Sequence, residues 1–117
     1  MGVAAIVVLI AATVLTTMLA LSRRTNARLP ADGDVPVHFD IRGNADRFGS
    51  RWVVLGAVPA SYVFMQVLLI VVGFFLEGEA SAGEVIGGQI FLAITFLATH
   101  LFVIWLLLRW VKCSEAG

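Results

Sequence analysis

Apolar positions dominate this chain in three uninterrupted runs, 3–21, 52–76 and 85–108, none of which contains Asp, Glu, Lys or Arg. Each run reaches or exceeds the roughly 18 residues that separate a membrane-spanning helix from a buried core helix. Hydrocarbon offers backbone N–H and C=O groups no partner, so such runs close their hydrogen bonds internally as helices. The pattern predicts an all-α membrane protein with three transmembrane helices, spanning 3–22, 52–76 and 85–110, in a single integral membrane domain covering 1–117.

Between the first two runs, segment 29–51 follows a different rhythm. Pro30 and Pro36 force extended backbone on the residues before them, and Asp32, Gly33 and Asp34 read as a turn. From Val35 the residues alternate, with Val35, Val37, Phe39 and Ile41 on one side and Pro36, His38, Asp40 and Arg42 on the other. That is the two-residue period of a half-buried strand, whose apolar edge is expected to pack on the end of the bundle or dip into the interface. Gly43-Asn44 makes the next turn. Gly49-Ser50 reads as a break followed by the N-cap of helix two, with Trp52 as an interfacial anchor. The segment is therefore expected to be an ordered, partly extended loop.

Details within the runs refine the helices. Helix one is expected to end near 22–24, where Arg23 and Arg24 reach the headgroups; its amino end lacks the basic residues of a signal peptide, and it is read as a retained span. Thr13 and Thr17 are expected to bond their own backbone or a neighbouring helix. Pro59 removes a backbone donor and should kink helix two near 56–61. Gly83, Gly87 and Gly88 serve either close helix approach or a tight turn. Among the polar side chains inside the runs, Tyr62 and Gln66 lie four apart, and Gln89 falls on one stripe with Ala93, Phe96 and His100, which Thr99 adjoins. Gln66, Gln89 and His100 read either as bundle-internal hydrogen-bonding groups or, for His100, as a gating, proton-linked or ligand site.

Composition agrees with the pattern. Hydrophobic residues make up 60% and mean hydropathy is +0.96, against roughly 45–50% apolar residues in soluble domains. The connecting segments are too short to form a separate water-soluble core without disulfides or a metal. Cys113 is the only cysteine, so no internal disulfide forms.

The net charge of zero conceals an uneven layout. Arg23, Arg24, Arg28, Arg42, Arg47 and Arg51 precede helix two, Arg109 and Lys112 follow helix three, and the other connection carries only Glu77, Glu79 and Glu84. All bases fall on one side if the spans alternate, which by the positive-inside rule places the N-terminus outside and the C-terminus in the cytoplasm of a multi-pass cell-membrane protein. The loop arginines are interleaved with Asp32, Asp34, Asp40 and Asp46, which argues against a nucleic-acid surface and for headgroup contacts on an anionic leaflet. Trp105 and Trp110 with Arg109 and Lys112 make an interfacial belt.

The residues Leu29, Pro30, Pro36, His38, Phe39, Asp40, Gly43, Asp46, Gly49, Ser50 and Arg51 form a pattern of their own. It resembles the signature L-P … P-x-H-F-[ND]-x-x-G-x-x-D-x-x-[GS]-S-[KR] of a bacterial domain of unknown function, the amino-terminal part of SdpI-type immunity proteins. The preceding span and the proline-containing span that follows fit the same layout. The resemblance implies protection against a membrane-active toxin or a signalling role, and an extracytoplasmic first loop, opposite to the orientation the charges give. Family members continue with further spans.

No Walker loop, nucleophile elbow, redox pair or dinucleotide fingerprint occurs in the chain. His38, Asp40 and Asp46 are metal-ligand types, with His38 and Asp40 about 6.5–7 Å apart on one face of a strand, but no Cys pair or His-x-x-x-His accompanies them. The competing expectation has His38 and Asp40 bridging to Arg42, Arg47 or Arg51 in a network that fixes the loop. The leading expectation is a protein without catalytic residues or cofactor. It binds a peptide or protein partner through a loop whose binding or organising residues are His38, Phe39, Asp40, Gly43, Asp46, Ser50 and Arg51; the lipid bilayer surrounds it, and a homo-oligomer is the other possible association. An accessory structural subunit of a larger membrane complex is the alternative, and a metal-dependent membrane enzyme a third.

Overall fold

The computed structural model describes residues 2–75 and 81–116. Its chain order is helix α1 (Val3–Arg28), strand β1 (Val35–Phe39), strand β2 (Ala45–Gly49), helix α2 (Arg51–Phe75) and helix α3 (Ala82–Ala116). All three helices are long and apolar enough to cross a membrane. The end of the second expected span at 76, and the connection residues Glu77 and Glu79, lie outside the described residues.

α1 runs past its expected end near 22–24 to Arg28. Arginines are good helix formers, so polarity alone does not stop a helix. Pro30 does: Leu29 takes up φ −81°, ψ 154°, the extended backbone a following proline imposes. α2 is capped as expected, with Ser50 Oγ accepting the Trp52 N–H at 3.3 Å. At the start of α3, Ser81 Oγ accepts the Glu84 N–H at 3.1 Å, leaving Glu84 in the first turn where the helix dipole favours a negative charge.

The polar segment is an antiparallel β-hairpin, where the alternation had indicated one strand followed by a turn. Val35 lies opposite Gly49, Pro36 opposite Phe48, His38 opposite Arg47 and Phe39 opposite Ala45, with the register shifting around His38. The alternation holds for Val37, His38 and Phe39 and fails at both ends. Pro36 is buried, and Ile41 stands fully exposed at the hairpin tip because the chain has already turned at Asp40.

Two apolar layers hold the molecule together. Leu29 and Val35 join Val54 and Leu55 of α2 and Leu107 of α3 at the hairpin end, with Val37, Phe39 and Trp110 packed against them. Deeper in the bundle Val14, Met18, Val58 and Tyr62 pack with Phe96 and Leu97, and the Tyr62 and Phe96 rings meet edge to face at 5.3 Å. Most other large apolar side chains point outward, among them Phe64, Ile70, Phe91 and Ile94, as lipid rather than water demands.

Candidate functional site

The hairpin is built by the residues of its own signature. Asp40 opens the turn and governs it: one carboxylate oxygen accepts the N–H groups of Arg42 and Asn44, each at 2.9 Å. The Gly43 N–H donates to the Asp40 carbonyl at 2.9 Å, and the Asp40 N–H to the Asn44 carbonyl at 2.8 Å. Gly43 holds φ +82°, a left-handed conformation open to glycine. A Cβ there would also lie 3.3 Å from Nη1 of Arg109, so the tip rests directly on α3. Across the strands His38 Nδ1 and Asp46 Oδ1 pair at 2.6 Å.

Arg51 ties the hairpin's far end to α1. Its Nη1 donates to Asn26 Oδ1 at 2.9 Å and its Nη2 to the Pro30 carbonyl. Phe39 packs against the hairpin-end core, and Ser50 caps α2. Seven of the expected loop residues are thus brought into one unit. The expected arginine bridges are absent among the described residues: His38 selects Asp46, its neighbour across the hairpin, and Asp40 is drawn to amides two and four positions ahead. With the Asp40 carboxylate occupied by the turn, only His38 and Asp46 of the metal-ligand candidates meet. No group of three His, Cys, Asp or Glu among the described residues is placed to hold a metal ion.

Beneath the hairpin lies a mostly apolar groove of about 470 Å³. Val37, Phe39 and Ile41 roof it, with His38 and Asp40 at the rim; Val53 and Ala57 of α2 and Phe102 and Leu106 of α3 form its walls. Val53 and Phe102 are more than half exposed, at 59% and 57%, so the groove opens sideways from the bundle.

Between the two apolar layers sits a polar one. Pro59 has no N–H, so the Leu55 carbonyl four residues earlier loses its helical donor. Ser22 of α1 replaces it, donating from Oγ at 2.8 Å. Having spent its one proton there, the Ser22 hydroxyl can only accept from His100 Nε2, 3.0 Å away. The same nitrogen lies 3.1 Å from the Met18 carbonyl, which also can only accept. Both contacts require a proton on Nε2. Nδ1 of His100 and the hydroxyl of Tyr62 are buried without a hydrogen-bond partner among the described residues.

The remaining intramembrane groups sort themselves by position. Gln66 and Gln89 form a reciprocal amide pair at 2.8 and 3.0 Å, joining α2 to α3 as their placement inside the bundle led one to expect. Tyr62, one turn before Gln66, makes no such bond; its ring packs and its hydroxyl is left over. His100 bonds the Ser22 hydroxyl and the Met18 carbonyl of α1, a bundle-internal hydrogen-bonding role. Thr13, Thr17 and Thr99 turn back onto the carbonyls of Leu9, Thr13 and Thr95. Gly87 and Gly88 have open space around them and Gly83 only the Ser81 hydroxyl at 4.0 Å, so they seat no helix among the described residues.

Compared with models of protein families, with curated proteins and with solved structures, the chain matches none. Its function must be argued from the geometry. Ser22, Asn26 and Arg109 carry much of that geometry and were not singled out by the sequence for these roles. Ser22 could have been found by asking which hydroxyl on another span serves the carbonyl that Pro59 orphans.

Proposed function

We propose that this chain is a non-enzymatic integral membrane protein that receives an apolar segment of a membrane-inserted peptide or protein in the groove beneath its hairpin. The observation that supports this reading is an internally braced hairpin roofing an apolar groove with exposed Val53 and Phe102 at its mouth. Bracing lowers the ordering cost of binding, and an apolar occupant arriving through the bilayer would meet Val53 and Phe102 without leaving hydrocarbon. His38 at the rim, which bonds Asp46 through Nδ1, keeps its second ring nitrogen for a polar contact with the occupant where it reaches the headgroups.

An SdpI-type immunity or signalling role follows if the occupant is a membrane-active toxin, as the resemblance of 29–51 implies. In that reading the protein sits in the cell membrane with hairpin and C-terminus cytoplasmic, on the weight of the bases gathered at that end. The test is site-specific photocrosslinking in native membranes. A photoreactive residue at Val53 or Phe102 is expected to capture a partner, and Ala57→Phe, which fills the groove from an exposed position, to abolish the capture. Equal capture from Val8, which is exposed on α1, or capture indifferent to Ala57→Phe, would remove the groove from the account.

A second reading, an accessory subunit of a larger membrane assembly, draws on α2 alone. Residues Val67, Leu68, Leu69, Ile70, Val71 and Val72 are exposed on every face of the helix, a stretch standing clear of the other two spans. Purification from native membranes as this chain alone, or only with copies of itself, counts against it.

A further inference from the structure

We infer that the ends of α1 and α3 form a headgroup site for an anionic phospholipid, lined by residues that the hairpin groove does not use. Arg28 in the last turn of α1 and Arg109 and Lys112 of α3 line one open groove of about 730 Å³. The three cations come from segments about eighty residues apart in sequence, and the fold alone brings them together. No carboxylate among the described residues pairs with any of them; the one ion pair found there is His38 with Asp46.

Like charges gathered in one groove repel each other unless an anion joins them. Arg109 is held ready for that anion. Its guanidinium lies over the Trp105 ring at 5.6 Å, and Gly43 at the hairpin tip allows its Nη1 to approach closely. A planar guanidinium so placed can grip phosphate oxygens in pairs.

The rest of the lining favours a lipid over a free phosphate. Trp105, Leu108 and Val111 make the groove apolar between its cations, which suits glycerol and the first carbons of an acyl chain and gives nothing to an inorganic ion. Basic pockets between transmembrane helices are the usual form of such sites. Three converging cations favour a headgroup with more than one negative oxygen exposed.

The test uses the full chain in mild detergent, mixed with phosphatidylglycerol, cardiolipin or phosphatidylcholine, with bound lipid counted by native mass spectrometry. The anionic lipids are expected to be retained over phosphatidylcholine. The triple variant Arg28→Gln, Arg109→Gln, Lys112→Gln should reduce that retention about 100-fold, the product of three near-surface cations. The control triple Arg23→Gln, Arg42→Gln, Arg47→Gln removes the same charge from arginines outside the groove, whose headgroup contacts are diffuse, and should lower retention no more than about fivefold. Equal loss in both triples means diffuse attraction and overturns the site, as does full retention in the first. Displacement of the lipid by millimolar inorganic phosphate overturns the lipid assignment. Circular dichroism of each variant separates loss of the site from loss of the fold.

Discussion

Pro59 and Ser22 are complementary departures from ideal helix chemistry. One deletes a donor, and the other supplies a hydroxyl 2.8 Å from the acceptor left behind. Leu55 is buried, so its carbonyl has no water to turn to and the replacement bond is its available donor among the described residues. Ser22→Ala should therefore destabilise the bundle by about 0.6 kcal/mol, the average for hydrogen bonds between transmembrane helices, and by no more than about 1.7 kcal/mol. Pro59→Ala restores a backbone donor to Leu55, and in that background Ser22→Ala should cost measurably less. A double-mutant cycle in mixed micelles reads the coupling directly; additive effects would mean that Ser22 does not serve the orphaned carbonyl. The proline was plain in the sequence. Its remedy was not, because the serine sits 33 positions before the Leu55 carbonyl, on another helix, and nothing local marks it.

The hairpin is the element that the sequence revealed least completely. Period-two alternation exposed β1, and Ser50 with Trp52 marked the start of α2. β2, with the sequence Ala-Asp-Arg-Phe-Gly, has no apolar alternation and low strand propensity; it exists because Asp40 and Gly43 fold it back onto β1. A glycine-containing loop of five residues joining two short extended stretches was the available signal. α1 extends past Arg24 for the converse reason: charge does not end a helix, and the extended backbone that Pro30 imposes on Leu29 does. If Asp40 is the organiser, Asp40→Ala should loosen the hairpin by about 1 kcal/mol, a rough fivefold rise in amide hydrogen exchange confined to 35–49. Ile41→Ala, at the same tip but fully exposed and holding none of the turn's hydrogen bonds, should leave exchange unchanged. Equal effects from the two would make the turn a passive connection and take from Asp40 its role.

The molecule measures 56 × 25 × 20 Å, longer than the roughly 40–45 Å of a bilayer with its headgroups. Something must protrude, and the distribution of bases says which end. Gly43 lies against Arg109, so hairpin, α1 terminus, α2 start and α3 terminus share one pole, and every Lys and Arg in the chain lies there. Three spans and a shared pole were both legible in the apolar runs and charge order; the contact that joins hairpin to α3 was not, since it depends on packing between distant segments. The arrangement yields a labelling pattern with no free choices. Cys113 is the native and exposed thiol. With Cys113→Ala as background, single cysteines placed at Ile41 and Ser81 complete the set. An impermeant maleimide should label Cys113 and the position 41 cysteine from the same face of the membrane and the position 81 cysteine from the opposite face. The positive-inside rule makes the shared face cytoplasmic, whereas the resemblance of segment 29–51 makes it extracytoplasmic. Labelling of 41 and 113 from opposite faces would contradict the fold itself. Labelling of both from outside would preserve the fold, reverse the orientation, and place the groove where an extracellular toxin arrives first.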